Sequence, residues 1–369
     1  MQEPLAGSNS LALAIGVMTH PANAAMRGRA RHTWLADALQ TDRHRSVAVV
    51  ARFVVGNQFS RCKRVQEALA IEHASFHDIA YVQAPDCHKG FGGEKVHAWY
   101  AYALATWPEA KWLAKMEDDG MLRMDALTQL VFSMPRDVDY AGFMQWQATC
   151  SLVLTPMPGS RSEQPCAGCW AGYFTDTHAR KPWIRRHRCT SVNSFGTQIW
   201  PGSAQCPAIY HAPFACGPFE LRSVRLAITV ASCKYANDYF TAMSRRSLAL
   251  QQSANPQASP ICSSTDGSQG HVIGRCIGNS TLDLVDLGDH VQKYAIDSQF
   301  PANGSAGVMI LHPLKAPNAA YWSMFWNRLR KGVPFVPKSM MRARVALNAS
   351  QAQFVSWARW TPPRPRHEL

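Results

Sequence analysis

Nowhere in its 369 residues does the chain carry an apolar run long enough to cross a bilayer. Its longest runs, residues 11–18 and 47–55, fall far short of the roughly 18–20 residues that a membrane helix needs. Several catalytic signatures are missing too. No Gly-Lys-Ser/Thr follows a glycine-rich turn, which excludes a P-loop, and no Gly-x-Ser-x-Gly provides the nucleophile elbow of a serine hydrolase. Cys166-Ala-Gly-Cys169 has no second Cys-x-x-Cys to complete a zinc site, so disulfide bridges are the better reading of these cysteines. Internal repeats are absent. Acid is scarce as well: 25 Asp and Glu stand against 38 Lys and Arg, for a formal charge of +13.

What is present describes a globular body. A hydrophobic content of 47% with aromatics at 10% excludes a disordered or fibrous chain, and the length suffices for one large domain or two smaller ones. The basic surplus implies a polyanionic partner: nucleic acid, an anionic membrane surface or a phosphorylated small molecule. That surplus is concentrated late, because from Arg328 onward nine basic residues face the single acid Glu368. The basic C-terminal segment with Trp326, Trp357 and Trp360 could serve a nucleic-acid binder, but such a protein needs no acidic triplet, and we expect no nucleic-acid partner. Eleven cysteines and three acceptor sequons, at Asn279, Asn303 and Asn348, suit an oxidising lumen with several bridges. The first nine residues are polar and show no signal peptide, so a membrane anchor is either absent or missing from this sequence. The last four residues, Arg-His-Glu-Leu, loosely resemble an endoplasmic-reticulum retrieval signal.

The first 135 residues alternate strand-like and helix-like segments at the spacing of βαβ units, which predicts a mostly parallel open sheet flanked by helices. Strands are expected at 11–18, 47–55, 78–82 and 111–116, with helices at 23–39, 61–72, 94–106 and 122–133. From 135 to 236, Pro, Gly, Trp and seven of the cysteines crowd together, and we expect a loop-rich, bridge-held lobe. Residues 237–252 and 319–329 read as helices, and the basic segment beyond Lys331 as a tail. This gives an N-terminal tail (1–10), a nucleotide-binding half (11–135), an acceptor-binding half (136–331) and a basic tail (332–369).

The strongest chemical feature is Glu117-Asp118-Asp119 at the end of the fourth expected strand. Three adjacent carboxylates repel one another, so they sit in water or on a cation. A divalent metal such as Mn²⁺ or Mg²⁺ takes hard oxygen ligands of this kind. Ligands on open α/β sheets bind at the carboxyl ends of strands, which is where the triplet falls. Arg27 and Arg31 share one helical face after the first strand and suit a diphosphate or a uracil edge, or else a solvated basic face; Trp34 reads as core. Lys95, at the start of a helix behind Gly90–Gly93, adds another cation.

These residues stand in a recognisable order: Arg27-Gly-Arg-Ala-Arg31-His-Thr33-Trp34, Phe53-Val-Val-Gly56, Asp78-Ile79, Asp86, Lys95 and Trp112-Leu-Ala-Lys115-Met-Glu-Asp-Asp119. The set resembles glycosyltransferase family 31, the galactosyltransferase family, with its Arg-x-x-x-Arg-x-Thr-Trp, Phe-Val-Leu-Gly and Lys-x-Asp-Asp-Asp motifs. Pro213-Phe214-Ala-Cys-Gly217-Pro-Phe219 is similar to a later family motif, and Thr265-Asp266-Gly-Ser-Gln-Gly270 to Glu-Asp-Val-x-x-Gly. Glu117 stands where the family has Asp, and Thr265 replaces an acid.

The resemblance implies a GT-A type nucleotide-sugar transferase fold with a Cys-containing acceptor lobe, working in the secretory lumen, most plausibly the Golgi. It implies metal-dependent, inverting transfer of galactose or N-acetylhexosamine from a UDP-sugar to a glycan hydroxyl of a glycoprotein or glycolipid, with β-1,3 linkage. Glu117, Asp119 and His312 would then hold the metal, Arg27, Arg31, Lys95 and Asp118 would contact the donor, and Asp266 would be the general base. The alternative is a catalytically silent glycan- or polyanion-binding protein that keeps the fold.

Overall fold

A computed structural model describes residues 11–36, 48–58, 63–86, 92–145, 214–254, 265–287, 291–293, 309–312, 326–327, 339–347 and 352–362. The chain begins with β1 (Leu11–Met18), whose eight apolar residues are all buried, as a central strand covered on both faces must be. Next come α1 (Ala24–His32), β2 (Ala48–Gln58), α2 (Lys63–Phe76), β3 (Ile79–Pro85), α3 (Gly93–Thr106) and β4 (Trp112–Glu117). The short β5 (Met121–Leu122) and α4 (Met124–Ser133) complete the first half. Each expected element of this half has a counterpart, most with ends moved by a few residues, while the helix expected to run to residue 39 ends at His32.

β1 pairs in parallel with both β2 and β4, and β2 in parallel with β3. The sheet then continues through β7 (Phe214–Ser223), antiparallel to both β4 and β6 (Tyr140–Gln145), and through β8 (Thr281–Asp286), parallel to β6. A hairpin of β11 (Met340–Leu347) and β12 (Ala352–Trp360) closes that side. The nine strands take the order β12-β11-β8-β6-β7-β4-β1-β2-β3, and only β7 and β11 run against the rest. β5, β10 (Ile310–His312) and β9 (Val291–Lys293) form a separate three-stranded sheet. The remaining helices are α5 (Val224–Ala231), α6 (Lys234–Ala254) and α7 (Thr265–Ile277).

Alternate residues of β1 serve opposite cores. Leu13, Ile15 and Val17 pack with Trp34 and with Leu127 and Leu130 of α4. Ala14 and Met18 pack on the other face with Trp99, Tyr100 and Ala103 of α3 and Ala227 of α5. Gly16 is the place where α3 approaches most closely, since a Cβ there would overlap the Trp99 indole.

Two expectations are corrected. The described parts of the presumed loop-rich lobe are not loops: β6 and β7 lie in the middle of the main sheet. The cysteines from Cys150 to Cys206 lie outside the described residues, and the bridge that is described joins Cys233, between α5 and α6, to Cys276 of α7. The segment read as a basic tail supplies β11 and β12, with Met340, Ala343, Val345 and Leu347 buried. Its Arg342 pairs with Asp137, and its Arg344 reaches Asp283 at 3.0 Å. Among the described residues no helix is long and apolar enough to cross a membrane.

Candidate active site

The sheet order places a switch point at β1, since the chain leaves β1 for β2 on one side and returns as β4 on the other. At such a point the loops after adjacent strands diverge and leave a crevice at the strands' carboxyl ends. Thr19 and His20 follow β1 there, and Glu117-Asp118-Asp119 ends β4 directly beside them. The backbone closes tightly: Asp118 N donates to Met18 O at 3.2 Å, and Gly120 N to Glu117 O at 3.1 Å.

Asp118 is oriented by two donors on the same oxygen, Thr19 Oγ1 at 2.7 Å and Asn23 Nδ2 at 3.0 Å from its Oδ2. Burial pushes its carboxyl above the ordinary value, the two hydrogen bonds oppose that, and the neighbouring charge of Asp119 adds to the rise. Glu117 is buried, with Lys115 Nζ 3.2 Å from its Oε1. After the triplet, β5 pairs antiparallel with β10, Leu311 opposite Met121. His312 is the next residue of β10, so a strand from nearly 200 residues later lies beside the segment that follows the acidic turn; the His312 side chain lies outside the described residues.

A divalent cation suits the donors gathered here. The triplet offers only hard carboxylate oxygens, and among the described residues both donors to Asp118, Thr19 and Asn23, fall on Oδ2. Such an ion needs only one or two protein carboxylates when a substrate's phosphates supply the rest. Among the described side chains alone, no group of three His, Cys, Asp or Glu is arranged to enclose a metal.

The cations expected to meet the donor are engaged elsewhere. Arg27 is fully buried: Nε and Nη2 reach Glu72 at 2.8 and 2.6 Å, and Nη1 and Nη2 donate to the carbonyls of His20 and Pro21. Arg31 grips Asp78 through Nε at 2.7 Å and Nη2 at 2.8 Å, donates to Glu72, and lies over the rings of Phe53 and Phe76. Burial pushes Glu72 up, but the bonds from both arginines outweigh it and hold the carboxyl below its usual value. Lys95 is also fully buried, pairing with Asp86 and donating to Thr19 O at 2.7 Å. Arg27 and Lys95 thereby hold the Thr19–Pro21 turn, while Arg31 ties α1 to Glu72 and Asp78. Trp34 is buried in the core, as expected.

Asp266 lies in the first turn of α7, and its side chain lies outside the described residues. Sequence reading missed Thr19, Asn23 and Glu72. The first had a usable signal, being the polar residue that ends a wholly apolar strand. Glu72 had none, because its arginine partners lie more than 40 positions away.

Residues 25–145 match the family model described as Galactosyltransferase. The matched segment contains Arg27, Arg31, Lys95 and the whole acidic triplet, and it ends before Asp266 and His312. Among solved structures, the chain is similar to mouse xyloside xylosyltransferase 1 in its apo form. That similarity has 11% identity over 82% of this chain and 97% of that one, with a TM-score of 0.30, and carries no argument about chemistry. No curated protein sequence matches the chain. Residues 25–145 are thus a galactosyltransferase-family segment, and they include the acidic turn at the switch point of the α/β sheet.

Proposed function

We propose that the chain is a metal-dependent, inverting glycosyltransferase of the GT-A type. It moves galactose or N-acetylhexosamine from a UDP-sugar to a glycan hydroxyl, with β-1,3 linkage, in the Golgi lumen. The observation that carries this reading is the position of Glu117-Asp118-Asp119: it sits at the carboxyl end of β4, beside the end of β1, inside the segment that matches the galactosyltransferase family. The Cys233–Cys276 bridge supports an oxidising compartment.

Glu117, Asp119 and His312 are the residues that would hold Mn²⁺ or Mg²⁺, which supplies positive charge against the charge that builds on a departing diphosphate. Asp118, fixed by Thr19 and Asn23, orients the donor's ribose or a bound water. Asp266 takes the proton from the acceptor hydroxyl as its oxygen bonds to the anomeric carbon and the bond to the diphosphate oxygen breaks. One displacement without a protein nucleophile inverts the anomeric centre, so an α-linked donor gives a β-linked product.

The test is UDP release from UDP-galactose and UDP-N-acetylhexosamines, with and without Mn²⁺, for the parent, Asp119→Ala and Asp266→Asn. The expected result is metal-dependent release, lost by at least about 100-fold in each variant, in line with the usual weight of a general base or charge-stabilising group. Metal-independent release, or full activity in both variants, overturns the mechanism. A parent that binds no UDP is instead a silent binding protein.

A further inference from the structure

Behind the crevice, five buried polar side chains form one continuous network. Glu220 of β7 accepts from Tyr100 of α3 at 2.6 Å and from Tyr140 of β6 at 3.0 Å. Its Oε1 lies 2.9 Å from Arg222 Nη2, and the Arg222 guanidinium sits 4.2 Å from the centre of the Tyr100 ring. Arg222 Nη2 also donates to Gln269 Oε1 of α7 at 2.7 Å, and Gln269 Nε2 donates to Gly93 O, the first residue of α3, at 3.3 Å. Tyr140 Oη in turn accepts from Ala215 N. Burial, with Glu220 beside them, keeps both phenols protonated and therefore donors.

A buried ion pair of this kind is a poor source of net stability, because desolvation consumes most of its attraction. What a nearly satisfied buried network does provide is a single arrangement of the elements it joins. Those elements matter here. Gln269 stands three residues, less than one helical turn, after Asp266. Gly93 stands two before Lys95, which holds the Thr19 carbonyl beneath the acidic crevice.

We infer that Gln269, held by Arg222 and Glu220, is a positioning residue that sets the first turn of α7, and with it Asp266, against the α3 side of the donor crevice. This deepens the transferase reading and rests on it for its catalytic consequence. The structural consequence, a first turn of α7 pinned by one neutral side chain, stands apart from any activity.

Gln269 is the position to perturb, since truncating Glu220 or Arg222 leaves a buried charge unpaired and threatens folding. Gln269→Met keeps volume and removes both hydrogen bonds. Gln269→Glu restores an acceptor for Arg222, whose Nε and Nη1 have no hydrogen-bond partner among the described residues. Two readouts are taken on the full chain: backbone hydrogen exchange over residues 265–270, and kcat and KM for UDP-sugar turnover. Gln269→Met is expected to speed exchange at the start of α7 and to lower kcat about 10- to 100-fold with the donor KM within about 2-fold, as misplacing a reacting group does. Gln269→Glu keeps the acceptor for Arg222 but not the donor to Gly93 O, and is expected to recover part of both. Parent-like exchange in Gln269→Met overturns the inference, as does an unchanged kcat in Gln269→Met. If the parent turns over no UDP-sugar, the transferase reading falls, while the exchange measurement still decides whether Gln269 pins the helix.

Discussion

Replacing Lys95 with Met separates a phosphate-binding lysine from a buried structural one. Lys95 and Asp86 are both fully buried and pair with each other, and Asp86 also accepts from Gly56 N. Burial pushes the Asp86 carboxyl from 3.8 to about 6, against the pull of Lys95. A carboxyl whose folded value lies above its unfolded one binds its proton more tightly in the fold. Stability on its account therefore rises as pH falls from about 6 toward 3.8, and is lost as pH rises through 6. That interval of roughly two pH units corresponds to about 3 kcal/mol. Lys95→Met removes the group that holds the value down and so moves it higher still. At pH 7.5 the variant is expected to be about 3–5 kcal/mol less stable than the parent, the cost of breaking a buried pair. By pH 5.5, with Asp86 protonated, that difference is expected to shrink by about 1.5 kcal/mol, leaving the lost bond to Thr19 O and the packing change. Guanidinium unfolding of parent and variant at the two pH values measures it, because groups common to both cancel in the difference. A penalty that stays constant or grows at pH 5.5 refutes the reasoning. Asp86→Asn is the control of opposite sign, since it strands the Lys95 ammonium and gains nothing from acid.

Thr19→Val removes the 2.7 Å donor to Asp118 and is expected to cost about 1.5–3 kcal/mol, the range for a hydrogen bond to a charged group, read as a lower Tm together with a raised donor KM. Gly16→Ala drives a methyl into the Trp99 indole and is expected to cost about 1–3 kcal/mol by overpacking; an unchanged Tm would show that α3 can move aside. The double variant Cys233→Ala/Cys276→Ala opens a loop of 43-residue separation, for which chain entropy sets a ceiling of about 4 kcal/mol, and a loss of 2–4 kcal/mol in denaturant unfolding is expected.

The first half of the fold could be read from the sequence because its main strands β1 to β4 are parallel and mostly apolar. β1 and β4 are buried at every position, so they stand out as short runs bounded by polar turns. β7 was hidden for the opposite reason: it contains Gly217, Pro218, Glu220 and Arg222, and the last two are buried because they pair with each other and with Tyr100, Tyr140 and Gln269 from elements distant in sequence. β11 has the alternation of a half-buried strand, with Ala343 and Val345 buried between Arg342, Arg344 and Ala346, but its arginines suggested a solvated tail. Their partners, Asp137 and Asp283, lie far back in the chain. The acidic triplet was legible since adjacent carboxylates have few uses. For the arginines, residue type and helical spacing fix a face but do not say what it meets, and the structure pairs them with Glu72 and Asp78.

This reassignment of charge changes what the crevice can bind. Arg27, Arg31 and Lys95 are neutralised by Glu72, Asp78 and Asp86, so they cannot offer a diphosphate the field their number suggests. At the crevice itself stand Glu117, Asp118 and Asp119, with Lys115 beside Glu117 as the cation nearest the first of them. A carboxylate-dominated wall repels an anionic donor by roughly 1 kcal/mol per charge pair at 4 Å even in water, and by more where water is excluded. On the proposed reading an added cation would offset that repulsion, which makes the comparison with and without Mn²⁺ a test of binding as well as of turnover. The +13 of the whole chain, which first pointed to a polyanion held by basic residues, thus leads to a site where the protein supplies the negative charge and a divalent ion would supply the positive.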